Sequence, residues 1–469
     1  MLVLVASGAI PWLDRAWAFN LWHYLPVPVA VGFGIATASL ALPAVRGLLV
    51  RAMSATAGRG GEAPLWWLAP VLVLFFWLLR EYQLYGDSKI LLFTAARWWF
   101  LFPDIGSTFL FHLAGVLGTF SVGSFPGVGR VAATQGFVCV AGALTVVCFI
   151  QAGRLLAPTR GGGALVAALI LCGGVSRVFF GHVEVYAFVL LCAALYLWAG
   201  CAFLQGRTGW VAPSLALGFG LWMHLSFIFL VPSQVALLWL ASGRRPRLSE
   251  VLRSFAVVGV PLFVFLGAML ALGRWEELGL AWETLVEMAG LSATADPHES
   301  WVRGPFAEPG TGTLYTLFSW PHLKYLVNAG YLLAPAATPI VVAFAVLRPE
   351  VLIARKETAF LTATTGMLLL YAAVVRPVWG PYDWDVFALP AACGGALAAH
   401  LVVHELSGDR RAHVCALVIA ASILLVLLPF VAIGIAPSQP SGLFADEHIE
   451  RAPGESEWEA FERKIGPWL

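Results

Sequence analysis

The sequence predicts an all-α membrane protein, a polytopic bundle of about twelve transmembrane helices, and three observations carry that prediction. Only 12% of the 469 residues are charged while 60% belong to the hydrophobic set. A soluble domain carries about 25% charged residues, so too few remain to cover a water-facing surface. Apolar runs that match the helix length needed for a hydrocarbon core of about 30 Å recur from residue 25 to residue 436. The basic residues between those runs gather on one side. This composition excludes a soluble enzyme or a nucleic-acid binder, while the net charge of +1 says nothing about partners, so the information lies in how the charges are distributed.

Taken in order, residues 1–24 begin apolar but lack a basic leader and contain Pro11-Trp12 and Asp14-Arg15. They read as an interfacial segment rather than a cleaved signal. Spans follow at 25–45, 65–79, 131–150, 162–178, 184–204, 255–272, 326–347, 359–375, 386–404 and 414–436. The stretch 210–240 exceeds one span and is interrupted at His224, so it reads as two short helices meeting at the outer face. Residues 105–120 are apolar but short, follow Pro103-Asp104, and contain His112, Gly106, Gly115 and Gly118. They read as an outer-face helix lying in the interface or dipping in and out. The organisation is one membrane domain, 25–436, with outer loops 80–128 and 274–325 and an outer tail, 437–469.

Loop charge fixes the orientation. With these spans, fifteen of the 28 basic residues fall on one side against six acids, leaving thirteen basic residues and 21 acids on the other. The basic side is cytoplasmic by the positive-inside rule. A full span at 105–120 would split the basic loops between the two faces. The seven cysteines all lie inside apolar runs without metal-ligand spacing and read as small lipid-phase or core residues. Tryptophan pairs such as Trp66-Trp67 and Trp98-Trp99, with Trp379 and Trp384, suit helix ends at the headgroup level.

Ionisable residues are expensive inside a bilayer and mark function where they occur. Here they cluster at helix mouths on the outer side. In Arg80-Glu81-Tyr82-Gln83-Leu84-Tyr85-Gly86-Asp87-Ser88-Lys89, Asp87 is either a general base for an acceptor hydroxyl or the cap of a helix starting at Ser88. Lys89 and Arg97 sit on the amphipathic stretch that follows, and Glu81 reads as a solvated partner of Arg80 or Lys89. In Ser176-Arg177-Val178-Phe179-Phe180-Gly181-His182-Val183-Glu184, His182 and Glu184 stand two apart in a tight turn. That geometry binds a cation, orients a sugar hydroxyl or satisfies helix-end amides, but it lacks the helical spacing of a zinc pair. In Arg376-Pro377-Val378-Trp379-Gly380-Pro381-Tyr382-Asp383-Trp384-Asp385, Arg376 is placed to hold a lipid phosphate. Tyr382 offers a stacking face there, while Asp383 and Asp385 read sugar hydroxyls, hold a metal, or cap the next helix. His224 is either a hydrogen-bonded structural histidine or a site residue at the outer break.

The order of these motifs resembles the GT-C superfamily of polyprenyl-phosphate-sugar-dependent glycosyltransferases, of the mannosyltransferase and aminoarabinose-transferase type. The resemblance rests on Tyr85-Gly86-Asp87-Ser88 through Phe120 after a span, on the Gly181-His182-Val183-Glu184-Val185-Tyr186 turn, and on the His224-Leu225-Ser226 break. It covers most of 65–436. It implies a GT-C-like bundle that transfers a sugar, with inversion, from a polyprenyl phosphate to a lipid, glycan or protein acceptor. The expected location is the periplasmic or outer face of a bacterial inner membrane. The family's loop carboxylate carries over to Asp87, and its phosphate-holding basic residue to Arg376, with Lys89 and Arg97 as rivals. Glu81, His112, Arg177, His182, Glu184, His224, Tyr382, Asp383 and Asp385 complete the expected substrate-binding set. No residue is assigned to a metal, although a divalent cation such as Mg or Mn is compatible with the chemistry. An extra N-terminal span and the lack of a second acid beside Asp87 depart from the family pattern. The rival reading is a transporter or lipid flippase, which would place ionisable groups near the bilayer midplane.

Overall fold

The structure is a computed structural model and describes residues 18, 21–22, 25–58, 65–81, 88, 91–92, 104–121, 126–157, 162–274, 276, 318–375 and 380–435. Among these no strand is present; the elements are helices in chain order. They are α1 (Val27–Ser39), α2 (Pro43–Gly58), α3 (Leu68–Leu78), α4 (Ile105–Ser121), α5 (Pro126–Leu156) and α6 (Gly162–Leu171). Then come α7 (Tyr186–Leu204), α8 (Val211–Met223), α9 (Val231–Ser242), α10 (Leu248–Ala271), α11 (Trp320–Leu333) and α12 (Ala337–Leu347). The last are α13 (Lys356–Val374), α14 (Ala388–Glu405), α15 (Gly408–Ser422) and α16 (Leu428–Ile435). Short 3₁₀ segments, Gly174–Phe179, Leu225–Leu230 and Gly380–Phe387, interrupt the apolar runs, and a π turn at Ile423–Leu427 joins α15 to α16.

Seven of the described helices are long and apolar enough to cross a membrane, or up to nine with two bent pairs counted as single spans. Three further apolar helices, Leu65–Leu78, Ile105–Gly118 and Val211–Met223, are shorter. The span expected at 25–45 is α1 and α2, bent by 83°, and the one at 326–347 is α11 and α12, bent by 114°. The span expected at 162–178 is a helix only as far as Leu171, after which Gly174–Phe179 tightens to 3₁₀. The expected break at His224 is present, with φ −159° and ψ 135°. In α10 only 28% of the most apolar stretch is buried, and Phe263, Val264 and Leu270 are each more than 60% exposed. So much exposed hydrocarbon on one helix fits lipid and not water. The chain is an integral membrane protein.

α5, with 31 residues, is the axis of the bundle and packs on α3, α4, α6 and α7. Small residues let helices approach closely where no hydrophobic drive joins them in lipid. A Cβ at Gly218 of α8 would collide with the Val258 carbonyl of α10. The same interface is tied by a polar knot. Gln234 of α9 donates from Nε2 to Ser214 Oγ and Ser254 Oγ, both at 3.0 Å, and the two hydroxyls lie 2.8 Å apart. Helix ends outside the apolar zone use ordinary capping chemistry. Glu250 accepts from the Arg247 backbone N–H at 2.8 Å and from Arg244 at 2.6 Å, while Gly243, at φ 64°, ends α9 in the left-handed region. All seven cysteines are buried and unbridged, as expected.

Candidate functional site

The site is assembled where α3 ends, α7 begins and α14 begins. After α3 the chain turns inward at Glu81, whose backbone N–H donates to Phe180 O at 2.7 Å and whose carbonyl accepts from Gln135 Nε2 of α5 at 3.0 Å. Gly181 makes the opposing turn possible. Its φ of +68° is left-handed, and a Cβ there would stand 2.9 Å from Arg80 Cβ. Two tight turns thus meet face to face and bring four ionisable side chains into one chain of contacts.

Arg177 Nε donates to Glu81 Oε1 at 2.6 Å. The other oxygen of Glu81 accepts from His182 Nδ1 at 2.7 Å, and His182 Nε2 faces Asp385 Oδ2 at 3.1 Å. Arg177, Glu81, His182 and Asp385 are all buried, a state that charges tolerate only when paired. The guanidinium lies over the Phe430 ring at 4.1 Å, and the imidazole stacks at 5.2 Å on Trp384. Burial by itself would raise the Glu81 carboxyl, but Arg177 and then His182 hold it below its ordinary value. For His182, burial works against the charge, and the Glu81 carboxylate with hydrogen bonds to Asp385 and Glu81 outweighs it, raising the imidazole to about 9. His182 is therefore an imidazolium bridging two carboxylates.

Glu184 joins this group. His182, Glu184 and Asp385 are all buried, and each offers one ligand atom within 4.8 Å of the others. One imidazole nitrogen and two carboxylate oxygens suit a divalent ion of the Mn or Zn kind, and Mg less well because of the nitrogen. Glu81 on Nδ1 is the partner that orients a ligating histidine and leaves Nε2 to the metal. In the arrangement described here a proton occupies that nitrogen, so the residues fit an ion that replaces the proton.

A second group borders the first. Tyr186, at the start of α7, lies within electrostatic range of Glu184, Asp385 and Asp104, and its ring is 5.5 Å from that of His224. His224 Nε2 stands 3.2 Å from Asp104 Oδ1. α4, which Asp104 precedes, is tied to the same place, because Ser107 Oγ donates to Met223 O at 3.0 Å. An apolar cavity of about 200 Å³ also opens close by, between α11, α12, α13 and α14. Its Phe387 is two residues from Asp385, and its two hydroxyls, Thr338 and Thr365, donate to helix carbonyls, leaving a wall of hydrocarbon.

Of the residues expected from sequence, Glu81, Arg177, His182, Glu184 and Asp385 come together, and His224 lies beside them through Tyr186. His112 is buried on α4, about two turns beyond Asp104. Asp87, Lys89, Arg97 and Arg376 lie outside the described residues, as do the side chains of Tyr382 and Asp383. One expectation is corrected. Glu81 is not a solvated partner of Arg80 or Lys89; it is 3% exposed and bound to Arg177 and His182. The reason is that a buried guanidinium and a buried imidazolium need a buried counter-charge more than a surface arginine does. Asp104, Tyr186 and Trp384 were not in the expected set. Asp104 carries the same signal as the others, an acid at a helix mouth, but in sequence it reads only as part of a helix start after Pro103.

No protein-family model and no curated protein matches the chain. Among solved structures it is similar to an oligosaccharyltransferase from Archaeoglobus fulgidus, crystallised with a disulfide-tethered acceptor peptide, at 13% identity and a TM-score of 0.43. The match covers 81% of this chain and 56% of that one, so the chain spans little more than half the length of the protein it resembles.

Proposed function

We propose that this protein is a membrane glycosyltransferase that moves a sugar from a polyprenyl-phosphate donor to a lipid, glycan or protein acceptor at the outer face, with inversion. The observation that supports this most is the buried chain Arg177–Glu81–His182–Asp385 with Glu184 beside it. Such a cluster is costly in a bilayer, and it sits at the mouths of the helices instead of at their middles. A hydroxyl-to-anomeric-carbon transfer needs a carboxylate to take the hydroxyl proton and positive charge to receive the electron pair of the breaking carbon–phosphate oxygen bond. We assign the first task to Asp87, with Arg376, Lys89 or Arg97 on the phosphate, as the family resemblance implies. His182, Glu184 and Asp385 would hold a divalent cation, which when bound supplies charge to the departing phosphate. Arg177 and Glu81 set the imidazole that faces it. The apolar cavity beside Phe387 suits the first part of a donor's hydrocarbon chain; a smaller dry cavity, of ~150 Å³, accepts a benzene ring.

The assay is incubation of purified protein with radiolabelled polyprenyl-phosphate sugars and a membrane extract as acceptor source. Label that appears in a new covalent linkage supports transfer. Label that crosses a vesicle wall with its linkage unchanged makes the protein a transporter or flippase and removes the reading.

A further inference from the structure

The break between α8 and Leu225–Leu230 leaves three buried polar atoms without a hydrogen-bond partner: Trp222 Nε1, His224 Nε2 and Ser226 Oγ. They fall within five consecutive residues. Buried polar groups are almost always satisfied, so a run of them calls for something that satisfies them. His224 is 3% and Ser226 4% exposed, and neither atom reaches bulk water.

The protonation of the histidine is fixed by geometry. Its Nδ1 accepts the Ser226 backbone N–H at 2.9 Å and so carries no proton, which puts the ring hydrogen on Nε2. That nitrogen lies 3.2 Å from Asp104 Oδ1, at an angle that makes no hydrogen bond. The break therefore presents two N–H donors, one hydroxyl and a carboxylate. An anion such as a phosphate would meet like charge at Asp104. A hydroxyl group suits it, because one oxygen accepts from Nε2–H while its own hydrogen goes to the carboxylate. The surroundings are aromatic: Tyr186 is 5.5 Å from the His224 ring, and Trp222 packs between Phe109 at 6.1 Å and Phe265 at 5.6 Å.

We propose that this break is a binding subsite for a neutral polyhydroxyl ring, with Trp222, His224 and Ser226 donating to ring hydroxyls and Asp104 accepting from them. The proposal deepens the glycosyltransferase reading and rests on it only for the origin of the ring, the sugar of the donor or of the acceptor.

The test is photolabelling of the full chain, in an amine-oxide detergent that carries no sugar, with diazirine-bearing octyl glucoside, galactoside and mannoside. At least one glycoside should label peptides covering 104–112 or 222–230. Excess free sugar should compete and inorganic phosphate should not. Labelling should fall at least tenfold in H224F and at least threefold in the gentler S226A, at an unchanged melting temperature. In the transfer assay S226A should raise KM for the substrate that bears the ring, with a smaller effect on kcat; whether that substrate is donor or acceptor identifies the source. Competition by phosphate alone, or labelling equal in wild type, H224F and S226A, overturns the subsite and leaves these atoms to ordered water. Sugar-specific labelling in a protein that transfers nothing would instead remove the transferase reading and keep the subsite.

Discussion

The two ends of the bundle use histidine in opposite ways. At one end His182 lies between Glu81 and Asp385. At the other, His400 and His404 of α14, with rings 4.4 Å apart, both bond the same backbone oxygen, Leu156 O at the end of α5, at 3.1 and 2.7 Å. His400 Nε2 also meets Thr358 Oγ1 of α13 at 3.0 Å. Both arrangements are interhelical and both are largely buried. One gathers charge, and the other closes the unsatisfied carbonyl that every helix end leaves. Burial of a polar residue in a membrane bundle is thus not by itself a mark of chemistry; the partner decides.

The largest effect should come from the charged end. Asp385→Asn keeps the shape and removes a charge that His182 and a cation would share, so transfer should fall by about 10² to 10⁴. Normal insertion and a near-normal melting temperature should accompany that loss. If transfer persists, the cluster is structural like its counterpart and the contrast disappears. Glu81→Ala removes the buried carboxylate that both Arg177 and His182 bond, which should cost about 3 to 5 kcal/mol, read as a lowered unfolding midpoint in detergent.

At the other end, His400→Ala and His404→Ala should each cost about 1 to 2 kcal/mol, the penalty of a lost buried hydrogen bond, with kcat unchanged. A fall in kcat there would erase the distinction. Smaller still is the pH dependence of stability. Glu81 has a depressed folded value, so its contribution is complete above about 4.5 and is lost as pH falls through that folded value. His182, raised to about 9 from 6.5, contributes fully below 6.5 and loses its contribution as pH rises through 9. Melting midpoints should therefore decline on both sides of mildly acidic pH, and Glu81→Gln should flatten the acid limb.

The membrane character, the helical class and the gathering of ionisable residues at helix ends were legible in the chain, because hydrocarbon content and helix length are summed over neighbours in sequence. The interruption at His224 was legible for the same reason, since a polar residue in a run too long for one span must mark a turn. The 83° and 114° bends in two apolar runs were not. Hydropathy fixes that a segment prefers lipid, not whether it runs straight through it.

What only the tertiary structure decided is who partners whom. Glu81 and Arg177 are 96 positions apart, and His182 and Asp385 are 203; no local pattern couples them. Glu81 has a basic neighbour in sequence, Arg80, and the fold gives it two others, because Arg80 can turn to the surface and stack on Trp77 while Arg177 cannot leave the interior. In a low-dielectric core the cost of an unpaired charge settles the pairing, and that cost depends on depth, which comes only from the packing of the whole chain.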